Sequence, residues 1–272
     1  MRHQPLFDTR FFFSTSPLPC PYLPDRLERR VVTELIGRDA MTLHEQLSLA
    51  GFRRSHGIAY APACASCDAC KAVRVLADEF APTRSLRRIW NRNKALRAHV
   101  CDPVATTEQY QLFSAYQKGR HHGGDMAKMD FFDYQGLVED TSVDTFLVEF
   151  RDDQDRLVAA CLTDRMSNGF SAVYSFFDPD LADQSLGTFM ILWLIETAKE
   201  KGLEYVYLGF WIPDCGKMAY KARFRPLEVY TQTGWQVFDP SIPSGAPSGD
   251  GGEVPPLGAF DATVNLTFDD LL

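Results

Sequence analysis

The chain has 272 residues, 45% of them hydrophobic, enough for one large core or two ordinary domains. The opening MRHQPLFDTRFFF lacks the apolar core of a signal peptide, and no run approaches the roughly 20 apolar residues that cross a bilayer, so a soluble cytoplasmic protein is expected. The formal charge of −8 is lopsided: from Pro226 onward there are seven acids and no lysine or arginine, which leaves the first 225 residues nearly neutral and able to carry local basic surface.

In chain order, the first 80 residues are rich in Pro, Cys and short apolar runs. AMTLHEQLSLAG predicts a helix stopped at Gly51, and GIAYAP and AVRVLA predict short strands flanking the loop PACASCDAC. Three of the seven cysteines, Cys64, Cys67 and Cys70, fall in that loop. Their spacing suits an iron–sulfur cluster or a zinc site with Cys20 as a fourth ligand, and it equally suits reduced thiols packing a small domain. The next stretch, APTRSLRRIWNRNKALRAHVC, holds six fixed cations and no carboxylate. It predicts a helix with Leu86, Ile89, Trp90 and Leu96 inward and Arg87, Arg88, Arg92 and Lys94 outward, available to a polyanion.

From about Pro103 the pattern becomes a helix, TEQYQLFSAYQKGRH, then three strands, DTFLVEFRD, RLVAACLTDR and GFSAVYSFFDP, separated by the turn signals DDQD and SNG. SLGTFMILWLIETAKEKG predicts a buried helix ending before Gly202, and LEYVYLGFWI a return strand. The Pro/Gly/Ser-rich end predicts a flexible acidic tail over 239–272. The expected organisation is an α/β (α+β) protein: an N-terminal α/β module over 1–100 with the cysteine loop and basic helix, and a larger domain over 101–238. This order of antiparallel strands, central helix and return strand resembles the Gcn5-related N-acyltransferases, in which an acyl donor sits in a gap of the sheet.

The segment YSFFDPDLADQSLGTFMILWLIETAKEKGLEYVYLGFWIPDCGKMAYKARFRPLEVY, with CPYLP, GFRRSHGIAYAPAC and YQKGRH, closely resembles the aminoacyl-tRNA–protein transferases over Cys20 to Trp235. The CPYLP and PACASCDAC forms resemble the bacterial branch. That resemblance implies transfer of leucine from leucyl-tRNA to proteins beginning with Asp or Glu, marking them for degradation as N-degrons, with no cofactor required for transfer. Eukaryotic members carry paired cysteines associated with iron–sulfur binding. Here Leu23 stands where a second early cysteine would be.

The chemistry asks mainly for positioning, since an α-amine of pKa about 8 is partly neutral at pH 7. Helix N-termini attract phosphate, so Ser185, Gly187 and Thr188 are candidates for the tRNA end, with Trp211, Lys217, Lys221 and the basic helix. Arginine's fork suits a carboxylate, which selects Arg53, Arg54, His56, Arg120 and His121 for the acidic first residue. Asp178, Tyr174 and Tyr207 are expected near the reacting atoms, Asp178 as the group that holds or deprotonates the amine. Phe176, Phe210 and Trp211 are expected to line the leucine pocket. An acyl-CoA-dependent acyltransferase is the rival chemistry, disfavoured by Phe189 in the degenerate loop QSLGTF. A non-catalytic metal-bearing RNA-binding or redox-sensing protein is the rival class.

Overall fold

A computed structural model of the protein describes residues 10–120 and 124–240. His121 and the expected tail beyond Pro240 lie outside the described residues. The N-terminal part contains β1 (Phe13–Ser14), β2 (Leu18–Pro19), β3 (Leu27–Glu28), β4 (Arg30–Glu34), α1 (Ala40–Leu49), β5 (Arg53–Ser55), β6 (Ile58–Pro62) and β7 (Lys71–Leu76). Then follow α2 (Arg84–Asn93), β8 (Arg97–Cys101), α3 (Thr107–Arg120), α4 (Phe131–Glu139), β9 (Thr145–Arg151), β10 (Leu157–Met166), β11 (Gly169–Phe177), α5 (Leu186–Glu200), β12 (Tyr205–Trp211), α6 (Gly216–Ala219), β13 (Leu227–Thr231) and β14 (Gly234–Val237). Short 3-10 turns cover Pro179–Gln184 and Tyr220–Arg223.

Eight strands form the main sheet in the order β14-β13-β7-β12-β11-β10-β9-β8. It takes strands from both sides of the division expected at residue 100, because β7 pairs with β12 and β13. Alternation along the strands sends side chains to two helical layers. Phe146, Val148, Phe150 and Cys161 pack with α5, which contributes Leu186, Phe189, Met190, Leu194 and Ile195. On the opposite face Leu147, Ala160, Leu162 and Phe176 meet Phe113 of α3 and Tyr134, Leu137 and Val138 of α4. A four-stranded sheet, β1-β4-β6-β5, carries α1 on a smaller core of Leu35, Ala40, Leu47 and Ala59. Among the described residues no helix is long and apolar enough to cross a membrane.

The basic stretch is helical because Thr83 accepts from Leu86 N at its start (3.4 Å) and Leu86 is fully buried. Its last turn braces the approach to α5: Arg92 donates to Asp183 O (2.6 Å) and buried Asn93 to Gln184 O (2.9 Å). The basic helix therefore lies beside the start of α5, with Arg88 and Lys94 exposed.

All neighbouring pairs in the main sheet are antiparallel except β11 and β12, which run parallel for three pairs, ending at Ser171↔Tyr207. Beyond that point both strands carry a bulge. On β11 the register against β10 jumps between Tyr174 and Ala172 and leaves Val173 over; on β12 the register against β7 jumps between Tyr207 and Gly209. Bulges bend and twist a strand, and two of them at the same level part the sheet.

Candidate functional site

The split is filled from the side by β5, whose Arg53 donates to Val173 O, the carbonyl of the bulge residue. Gly209, on the other strand, has φ +70, and a Cβ there would stand 3.1 Å from Cδ, Nε and Nη1 of Arg53. Glycine is thus needed both for the left-handed backbone and for the passage of the guanidinium. Tyr22, Tyr60, Tyr174 and Tyr220 surround Arg53 electrostatically, and all five residues are half-buried. Among the described residues no carboxylate lies within ion-pairing distance of Arg53.

Three of these phenols, Tyr22, Tyr174 and Tyr220, are held neutral. Burial pushes Tyr22 and Tyr220 up to about 12 and raises Tyr174 further, while Arg53 pulls each down by a smaller amount. Gln117, buried on α3, donates Nε2 to the Tyr174 hydroxyl at 2.6 Å, so the phenolic hydrogen is free for another acceptor. A cation ringed by neutral O–H donors suits a carboxylate.

Arg54 does not join this group. Successive residues of a strand point to opposite faces, and Arg54, 2% exposed, makes two 2.7 Å bonds to buried Asp164 and a 2.9 Å bond to His56 O. The expectation that both arginines face the acidic substrate is corrected by this parity. His56 has φ +48 just past the strand, its imidazole 3.1 Å from Ser55 Oγ; burial lowers its basicity. Exposed Arg120 stacks over Phe177 (5.2 Å) at the end of α3.

Two other expected reacting groups are engaged elsewhere. Asp178 caps the turn Pro179–Gln184 by accepting from Asp180 N (3.0 Å) and pairs with Arg156 (3.1 Å). This is the turn-residue use of aspartate before proline. Tyr207 sits where β11 and β12 still pair, accepting from Arg74 Nη1 (3.1 Å) beside Trp235. Arg74 itself is paired with Glu228 (2.6 Å) and stacked on Tyr205 (3.6 Å).

Lys221, expected to meet phosphate, is buried and donates to Phe210 O at 2.6 Å; Lys217 is exposed. Trp211 is buried, its Nε1 without a hydrogen-bond partner. Phe210 stacks on Tyr60 (5.8 Å), whereas Phe176 lies in the core under α3 and α4. At the start of α5, Ser185 takes a left-handed conformation (φ 58) and its side chain does not cap the helix. Gly187 follows in the first turn and Thr188 is buried.

Cys20, Cys64, Cys67 and Cys70 line one cavity of about 30 Å³, together with Tyr22, Tyr60 and Phe210. Among the described residues no group of three or more His, Cys, Asp or Glu is placed to hold a metal ion. Two of the thiols have protein partners: Arg26 donates to Cys67 Sγ (3.0 Å), and Cys64 pairs with the Arg29 backbone. Burial and the neighbouring thiols push Cys70 up to about 12. Leu23 fills this cluster with Ile212 and Cys215, so the cysteine loop is packed onto the chain just beyond β12.

Sequence reasoning passed over Tyr22, Tyr60 and Gln117. Each lies within a quoted motif, CPYLP, GIAYAP and YQKGRH, and that was the available signal.

A model of the N-terminal region of arginine-tRNA-protein transferases matches residues 18–88, and one of their C-terminal region matches residues 108–231. The chain belongs to this transferase family. It is 58% identical over 240 residues to the aspartate/glutamate leucyltransferase of Paramagnetospirillum magneticum, covering 88% of this chain and 98% of that protein. It is 50% identical to the one of Granulibacter bethesdensis, over 86% of this chain and 87% of that protein. Solved structures are more distant: L-PGS from Bacillus licheniformis aligns with TM-score 0.43 and 17% identity (66% of this chain, 54% of that chain), and FemX with 0.41 and 10% (70% and 65%).

Proposed function

We propose that this member of the family transfers leucine from leucyl-tRNA to the N-terminal α-amine of proteins beginning with Asp or Glu, in the cytoplasm where charged tRNA is available. The observation that carries the reading is Arg53, a cation in a parted sheet with four tyrosines around it and no acidic partner among the described residues. Such a cation is satisfied by a carboxylate from outside.

In this reading the acidic side chain of the substrate binds Arg53 and so fixes the α-amine at the split. The amine attacks the leucyl ester carbon, the C–N bond forms, and the C–O bond to the tRNA ribose breaks as that oxygen takes the proton the amine gives up. Tyr174, its oxygen already accepting from Gln117, donates a hydrogen bond to the developing oxyanion. The tRNA phosphates meet the uncapped start of α5 and the neighbouring Arg88 and Arg92 of α2 with Lys94 just after it, which gives binding a steep salt dependence.

The test is transfer of radiolabelled leucine from leucyl-tRNA to otherwise identical peptides beginning with Asp, Glu, Asn or Lys. Label on the first two alone supports the reading. Transfer that depends on acyl-CoA, or tRNA binding without transfer, overturns it.

A further inference from the structure

Two basic side chains, not one, border the split. Arg53 is tied to Val173 O on β11, and Lys221 to Phe210 O on β12. Each holds the main chain of one strand at the level where cross-strand pairing has stopped. The two charges interact with one another, and among the described residues neither has a carboxylate within ion-pairing distance. The other titratable group felt by Lys221 is the buried thiol of Cys215, ahead of α6. On the same turn Arg223 reaches away to Ser85, and Lys217 on α6 is exposed.

Two like charges enclosed together are unstable, and the softer one gives way. Burial first, and Arg53 second, lower Lys221 well below the usual lysine range, so at rest its amine is biased toward the neutral form. A carboxylate brought beside it reverses the balance, because an opposite charge within about 4–6 Å favours the ammonium.

We propose that Lys221 is a second specificity determinant for the acidic first residue: the substrate carboxylate seats between the Arg53 guanidinium and the Lys221 amine, the two basic groups that hold the strands at the split. This rests on the reading of Arg53 given above. It makes recognition of Asp or Glu a proton-coupled event, and an uncharged amide in the same place draws no proton.

The test is calorimetric titration of the full-length protein at pH 7.5 with peptides beginning Asp and Asn, in buffers of different ionisation enthalpy. The two peptides share the α-amine, so the difference isolates the side chain. Greater proton uptake with the Asp peptide than with the Asn peptide is expected, together with at least tenfold weaker Asp binding and no extra uptake in Lys221→Met. Equal uptake with both peptides, or unchanged uptake in Lys221→Met, overturns the inference. If Lys221→Met does not fold, the wild-type comparison decides alone. Should the protein bind Asp over Asn without extra uptake, only the role of Lys221 fails; should it transfer leucine equally to both, the reading of Arg53 fails first.

Discussion

Two arginines adjacent in sequence sit in opposite electrostatic worlds. Arg54 is bonded twice to Asp164, with Thr145 also on that carboxylate at 2.8 Å, and Arg74 is likewise paired with Glu228. Arg53, one residue away, faces phenols and a carbonyl. A structural cation comes with its counter-ion built in, while one reserved for a ligand is left short of it. The N-terminal module therefore does two jobs with one short strand: Arg54 anchors it to β10, and Arg53 reaches into the split.

The sharpest way to break this comparison is Arg54→Ala, which strands Asp164 in the core. Removing one partner of a buried pair costs about 3–5 kcal/mol, so chemical denaturation should show a large loss of stability, whereas Arg53→Met should keep its unfolding midpoint. Tyr174→Phe probes the split itself. If the phenol donates to the oxyanion, kcat falls by roughly 100-fold with little change in KM for the peptide, measured by steady-state transfer.

Gly209→Ala tests how the split admits Arg53. The left-handed backbone alone costs about 1–2 kcal/mol, and the new methyl displaces the guanidinium, so acidic-peptide KM should rise along with the stability loss. The smallest expected effect lies at the structural pair. Burial first lowers His44, 3.5 Å from Asp164, with Arg54 adding to the depression and Asp164 opposing it. The unfolded chain then binds the proton more readily, so stability falls as pH drops below the ordinary histidine value of about 6.5. Thermal midpoints between pH 7 and 5 should fall less steeply in His44→Gln, with His56, lowered in the same sense, supplying the remaining slope.

Much of the fold was legible because its signals are local. The all-round apolar run of α5, the turn signals around β10 and the apolar runs of β9 and β11 each need only their own residues. The helix α4 was missed, although its capping box of Asp130 and Asp133 was written in MDFFDYQ. The site was legible by motif and not by orientation. Arg53 and Arg54 are equivalent in composition, and only strand parity separates them. Lys221 reads as a surface lysine until the turn after β12 folds it inward onto Phe210. The pairing of Arg54 with Asp164 spans 110 positions, a separation at which one sequence carries no pairing signal.

The central claim is that Arg53 selects the acidic first residue, and the ratio of kcat/KM for Asp-initiated over Asn-initiated peptides, with leucyl-tRNA as donor, tests it most directly. The account predicts a ratio of at least roughly 100, about 2.7 kcal/mol of discrimination, that collapses toward one in Arg53→Met while the protein stays folded. A folded Arg53→Met that keeps the wild-type ratio would contradict it.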